Sequence, residues 1–190
     1  MVTSPRTRIA LSAACATALA LATPIVEASP ANAADTITAA DQPYFAYYHL
    51  DQARAKGYTG KGVTVAIIDG KVDTSANELN GATITDKTPC TVTVTPESTG
   101  HGTGTASILV ARDYGVVPDA TLLAYQTDAG DADPGSDCTG IGGINLAGYP
   151  SLINHAINDG AQIINLSAGS SDHSNELRWA IARAIHRGRS

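Results

Sequence analysis

Basic residues, aromatic residues and cysteines are all scarce in this 190-residue sequence. Lys and Arg number 12 against 18 Asp and Glu, and the formal net charge is −6. Nucleic acids and anionic membranes are bound by clusters of basic residues, and no basic stripe is present, so we expect neither as a partner. Beyond the first 33 residues, no run is apolar enough to span a bilayer.

The N-terminus has the three parts of a secretory signal peptide. Arg6 and Arg8 precede an Ala- and Leu-rich run, and ANA at positions 31–33 forms a cleavage site of the Ala-X-Ala type. We therefore expect residues 1–33 to be removed and the protein to be secreted into the extracellular space. A retained membrane anchor is one alternative. A lipoprotein attached through Cys15 is another, although the Leu of LSAAC stands one position too early for a lipobox.

Two cysteines, Cys90 and Cys138, would remain after removal of the signal peptide. An even pair in an oxidising compartment usually forms a disulfide, which we expect between these two residues. Two free thiols too far apart to meet are the alternative. A bridge over this span would stabilise the fold by about 4 kcal/mol through loop-closure entropy.

Apolar periodicity predicts alternating strands and helices. Strands are predicted at 63–68, 121–126 and 162–166, and helices at 102–111, 151–159 and 175–187. Residues 34–58 form a short lead-in, with a brief helix capped by Asp51 and stopped by Gly57. Residues 83–100 are predicted as loop or edge strand, and 128–150 as a long loop. The alternation implies an α/β fold with a parallel sheet and helices on its faces.

Two residues stand where catalytic groups are expected. Asp69 directly follows the first predicted strand, and open α/β sheets bind their ligands at that end of the strands. His101 lies in GHGTGTAS, after a Gly-rich loop and at the start of a predicted helix. An Asp that orients a His is two-thirds of a serine peptidase triad. Taken singly, each residue could equally be a turn former or a packing residue.

Four sequence blocks occur in the order found in one family. They are GYTGKGVTVAIIDGKVD, GHGTGTAS, VVPDATLLAYQ and INDGAQIINLSAGS, and they resemble the subtilisin-like serine peptidases (subtilases, peptidase S8). The resemblance implies an α/β, subtilisin-like three-layer fold with a mainly parallel sheet and helices on both faces. It makes Asp69 and His101 the triad Asp and His, and makes Ser167, Ala168 and Gly169 a substrate-binding strand. Residues 59–190 would be the N-terminal part of the peptidase domain.

The resemblance also implies an activity, a secreted serine endopeptidase that acts on protein or peptide substrates and requires no cofactor. The family's oxyanion Asn and nucleophilic Ser have no counterpart in these residues. We therefore expect the domain to be C-terminally incomplete, through a truncation or frameshift near Gly188, and the chain by itself to be inactive. The lead-in is too short for the family's folding propeptide. A non-catalytic remnant that binds extended peptides along 167–169 is the alternative.

Three positions depart from the family pattern. Gly70 and Lys71 stand where the family usually has Thr or Ser followed by Gly, and Gly104 replaces a second, non-catalytic His. A cation at Lys71 could weaken the hold of Asp69 on the His.

Other readings of single residues remain open. Ser167 as a nucleophile would need Gly where Asn165 stands. A nucleotide-binding domain is disfavoured because the glycines of TGKG precede the strand instead of following it.

Structural calcium is one expectation for the carboxylates Asp131, Asp133 and Asp137, and for Glu78, which matches a position that often ligates calcium in the family. A solvated loop is the alternative.

Overall fold

The computed structural model describes residues 36–127, 137–167 and 173–188. The expected signal peptide lies outside these ranges, as do Asp131, Asp133, Ala168 and Gly169. The described strands are β1 (Thr64–Asp69), β2 (Thr83–Asp86), β3 (Thr121–Gln126) and β4 (Ile163–Asn165). The helices are α1 (Pro43–Tyr47), α2 (Leu50–Ala55), α3 (Pro96–Val110), α4 (Tyr149–Asn158) and α5 (Asn175–Arg187). None of the described helices is long and apolar enough to cross a membrane.

The four strands form one parallel sheet in the order β2-β3-β1-β4. Side chains alternate along β1, so that Ala66 and Ile68 pack against α4 and α5 while Val65 and Ile67 pack against α3. Helices therefore cover both faces, which confirms the predicted α/β fold. All four β1 side chains are essentially inaccessible, and full burial of an Ile or Val contributes about 1.5–3 kcal/mol.

Helix α3 begins at Pro96, six residues before the start predicted from the sequence. Thr95 caps it, because its hydroxyl accepts from the amide of Ser98 at 3.1 Å and Pro96 supplies a preset φ at the first helical position. His101 therefore lies inside the helix and not at its start. Similarly, β1 ends at Asp69, so that this residue closes the strand instead of following it.

The lead-in is held against the loop between α3 and β3. The Arg54 guanidinium donates to the carbonyl oxygens of Arg112, Asp113 and Gly115. The same group stacks on the Phe45 ring at 4.9 Å from its centroid. The predicted cap of α2 is wrong, since His49 occupies the N-cap position with φ of 54° and Asp51 lies within the first turn.

A disulfide joins Cys90 to Cys138, as the even cysteine pair predicts. An antiparallel bridge between Thr91 and Asp137 runs beside it. The disulfide thus ties the segment that precedes α3 to the loop that leads into α4.

Helix α5 matches its predicted bounds. The Ser174 hydroxyl accepts from the amide of Leu177 at 3.2 Å and so caps the helix. The sequence also offers Ser171 and Asp172 as capping residues before this helix, and both lie outside the described residues. Leu177 is buried, whereas Ile181 remains 42% exposed.

Candidate active site

Asp69 is a buried polar residue at the end of a strand inside the sheet. It closes the central strand β1, opposite Gln126 of β3, and its carbonyl oxygen accepts from the amide of Thr127 at 2.9 Å. Its side chain is only 4% exposed. One carboxylate oxygen, Oδ1, accepts from the Gly70 amide at 2.6 Å and meets Nδ1 of His101 at 2.5 Å.

This contact determines which nitrogen of His101 carries the proton. An ionised carboxylate can only accept hydrogen bonds, so Nδ1 must donate, and the lone pair of the neutral ring is then on Nε2. The His101 side chain is 61% exposed. The arrangement thus presents an oriented base at the surface, anchored by a buried acid, which is the pairing that abstracts a proton in triad chemistry.

Two glycines allow α3 to approach the end of β1 this closely. A Cβ at Gly70 would lie 2.0 Å from the carbonyl oxygen of Ser98, and a Cβ at Gly102 would lie 2.3 Å from that of Gly70. Both contacts are with backbone atoms, which cannot rotate away. Gly70, a departure from the family pattern, is therefore required by the packing of α3 in this chain.

The structure does not bring the predicted substrate-binding residue Ser167 to His101. The Ser167 hydroxyl is exposed and donates to Oδ1 of Asn165 at 2.9 Å. Its neighbours Ala168 and Gly169 lie outside the described residues. Within the described ranges, no hydroxyl or thiol forms a hydrogen bond with His101. The predicted role of 167–169 in substrate binding stays a prediction.

The other departures from the family pattern face solvent. Lys71 is exposed and forms no ion pair with Asp69 in the described part of the chain. Its charge acts on Asp73, whose pKa is lowered first by hydrogen bonds from Ser75 and to a smaller extent by Lys71. A Cβ at Gly104 would meet no atom within 4 Å. Gly104 instead borders an open cavity of about 730 Å³.

Sequence reasoning missed one residue at this site, Tyr149. It is the first residue of α4 and is 8% exposed. Burial raises the pKa of its phenol, and the negative charge of Asp69 raises it further. The sequence offers little signal that the charge of Asp69 reaches Tyr149, because a Tyr at the start of an amphipathic helix is usually a packing residue.

No described group of three or more His, Cys, Asp or Glu residues could hold a metal ion. Asp137 is described and takes part in the bridge to Thr91, while Asp131 and Asp133 are not described. The calcium expectation therefore stays a prediction.

The sequence profile of the subtilase family (Peptidase_S8) matches residues 60–190. The chain belongs to the subtilase family. Among curated relatives of this subtilase are two proteins of Bacillus subtilis (strain 168). The minor extracellular protease Vpr is 35% identical over 154 residues, which cover 73% of this chain and 18% of Vpr. The major intracellular serine protease is 31% identical over 144 residues, which cover 70% of this chain and 42% of the relative.

Solved structures show the same fold. MycP1 from Mycobacterium smegmatis superposes with a TM-score of 0.53 at 28% identity, over 82% of this subtilase and 45% of MycP1. The prenylagaramide maturation protease PagA gives a TM-score of 0.53 at 25% identity, over 73% of this chain and 47% of PagA. The chain thus spans less than half the length of each of these four relatives.

Proposed function

We propose that this subtilase is a secreted serine endopeptidase in which Asp69 and His101 are the acid and the base of the triad. The observation that carries the proposal is the 2.5 Å contact between Oδ1 of Asp69 and Nδ1 of His101. Two relatives are named as proteases, which supports hydrolysis of peptide bonds in a protein or peptide substrate.

In the proposed reaction, Nε2 of His101 takes the proton of a serine hydroxyl as that serine attacks the peptide carbonyl. The imidazolium that forms then returns the proton to the leaving amine. Asp69 keeps Nδ1 protonated and stabilises the imidazolium, and its burial strengthens both interactions. The serine and the oxyanion Asn would come from a segment that is not among these 190 residues, so the chain alone is expected to be inactive.

Labelling with a fluorophosphonate serine probe tests this proposal. The 190-residue chain should neither be labelled nor hydrolyse a peptide substrate. Extension by a subtilase segment with the family's Asn and Ser should restore both, and His101→Ala in the extended protein should abolish hydrolysis. Asp69→Asn should lower kcat by about 10⁴-fold, as loss of a triad carboxylate does in related enzymes. Probe labelling of Ser167 in the 190-residue chain would contradict the assignment.

The same experiment distinguishes the proposed endopeptidase from the non-catalytic alternative. A peptide-binding remnant would bind an extended peptide without cleaving it, and the added segment would confer no activity that depends on His101.

Export is the second part of the proposal and depends on the N-terminal sequence pattern, because the relatives include proteins named extracellular and intracellular. N-terminal sequencing of material from the culture medium should begin at Ala34. Material that begins at Met1, or that stays in the cell, would contradict export.

A further inference from the structure

The loop that follows β1, residues 70–73, packs directly on the backbone of α3. The carbonyl oxygens of its first two residues occupy the space that a Cβ at Gly102 would need, at 2.3 and 2.6 Å from that atom. The other end of the loop is held by a side chain, because the Asp73 amide donates to the hydroxyl of Thr103 at 2.9 Å. Among the described residues, this is the one hydrogen bond that joins the 70–73 loop to α3.

Three consecutive residues of α3 surround this loop. Successive side chains of an α-helix point about 100° apart, so those of His101 and Thr103 lie on either side of Gly102. The His101 ring meets Asp69, the residue before the loop, whereas Thr103 binds Asp73 at the end of the loop. A rotation of α3 about its axis would displace both side chains. The Thr103 bond therefore opposes any rotation that withdraws His101 from the carboxylate.

The first loop residue also contacts the acid of the site. The Gly70 amide donates at 2.6 Å to Oδ1 of Asp69, the same oxygen that meets His101. At the other end, the amide and the hydroxyl of Ser75 donate to Oδ1 of Asp73 at 2.9 and 2.6 Å, which keeps Asp73 in a turn. Release of the Asp73 amide from α3 would therefore free the loop to move, and with it the Gly70 amide.

We propose that Thr103 is a positioning residue for the Asp69 and His101 pair. Its hydroxyl holds the 70–73 loop on α3, which keeps the Gly70 amide on Oδ1 of Asp69 and the imidazole aligned with the same oxygen. The importance of Thr103 for catalysis rests on the proposed function, but its effect on these contacts does not.

Thr103→Val in the full 190-residue chain tests this role without an activity assay. Val keeps the β-branched shape of Thr and removes the hydroxyl. Hydrogen exchange, followed by NMR, should become about threefold to tenfold faster at the Asp73 amide, which has lost its acceptor, and also at the Gly70 amide. The downfield resonance of the His101 Nδ1 proton, assigned by its loss in His101→Gln, should move upfield as the charge-assisted contact with Asp69 lengthens.

Two outcomes of this measurement would contradict the proposal. Faster exchange at Asp73 alone, with the Gly70 and His101 signals unchanged, would mean that the bond secures only the end of the loop. A Thr103→Val protein that is unfolded by circular dichroism would mean that the hydroxyl serves the whole fold. Thr103→Ser keeps the hydroxyl and should retain the wild-type values of all three signals, and a loss of them in this variant would also overturn the role of the hydroxyl.

Thr99→Val is the matched control. Thr99 lies one turn earlier on α3, and its hydroxyl donates to the carbonyl oxygen of Thr95, the cap of the same helix, at 3.1 Å. Its loss should leave the Gly70 and His101 signals in place. Equal changes in both valine variants would indicate a general effect on α3 and would overturn the specific role of Thr103.

The protein extended by a serine-bearing segment gives a kinetic test. Thr103→Val should lower kcat about threefold to tenfold with KM unchanged, and Thr103→Ser should keep the wild-type kcat. A higher KM with unchanged kcat would contradict a positioning role. If the extended protein is inactive altogether, the proposed function fails, while the amide exchange and the His101 resonance still decide the role of Thr103.

Discussion

Gly102 and Gly104 lie two residues apart on α3 but face different surroundings, and we expect their replacement by Ala to have opposite effects. Gly104 is exposed, and an added Cβ would have no atom within 4 Å. An alanine there restricts the unfolded chain and introduces no clash. Gly104→Ala should therefore raise the free energy of unfolding by about 1 kcal/mol.

Gly102 is buried, and a Cβ there would lie 2.3 Å from the carbonyl oxygen of Gly70 and 2.6 Å from that of Lys71. Either α3 or the turn after β1 must move to admit it. Overpacking of this kind costs about 1–3 kcal/mol, which offsets the helix-propensity gain of about 1 kcal/mol. Gly102→Ala should therefore lower the free energy of unfolding by up to about 2 kcal/mol, and it should weaken the contact between Asp69 and His101.

Urea denaturation followed by circular dichroism measures both effects. With a slope of about 2 kcal/mol per molar urea, the midpoint should rise by about 0.5 M in Gly104→Ala and fall by up to about 1 M in Gly102→Ala. A Gly102→Ala protein as stable as Gly104→Ala would refute the reasoning, because it would mean that α3 does not pack on the Gly70 turn as closely as described.

Three further predictions concern other parts of the chain. Arg54→Ala removes three hydrogen bonds to backbone carbonyls and should destabilise the fold by about 2 kcal/mol, measured by urea denaturation; full stability would show that the lead-in is not anchored there. Burial, then the bond to Asp159, raises the pKa of Tyr125, so the stability this phenol contributes is complete below its unfolded pKa of about 10 and lost as pH rises further. Tyr125→Phe should lessen that alkaline loss, and identical pH profiles would contradict it. Intact-mass analysis with alkylation should find the Cys90 and Cys138 thiols only after reduction, and thiols free beforehand would exclude the bridge.

Strands β1, β3 and β4 were predictable because each contains a short run of apolar residues, whereas β2, with Ile84 as its one apolar residue, lies in a segment predicted as loop or edge strand. Strand β3 has its predicted bounds, and β1 is shifted by one residue. The start of α3 was missed because residues 83–100, rich in Thr, Val and Pro, were predicted as loop or edge strand, whereas the structure has the helix begin at Pro96. Thr95 followed by Pro96 was a usable start signal, since a capping hydroxyl and a proline at the first position both favour initiation.

At the site, the ordered motifs predicted Asp69 and His101, and the structure brings them together. The sequence could not show why residue 70 is a glycine. The Ser98 carbonyl oxygen that requires it belongs to α3, and the predicted start of this helix was later than Ser98. The proximity of Tyr149 to Asp69 depends on the pairing of β1 with β3 and on the path of the loop before α4. Such a long-range arrangement leaves no local pattern for sequence reasoning to find.

Because β1 lies inside the sheet, we expect Asp69 to be less mobile than His101. Strand β1 is hydrogen-bonded to β3 on one side and to β4 on the other, so its amide hydrogens should exchange with solvent only when the sheet as a whole opens. His101, on a solvent-facing turn of α3, can fluctuate without disturbing that ladder. Asp69 thus stands at the end of the strand that we expect to open most rarely, while His101 keeps the small motions that its proposed role as a base requires.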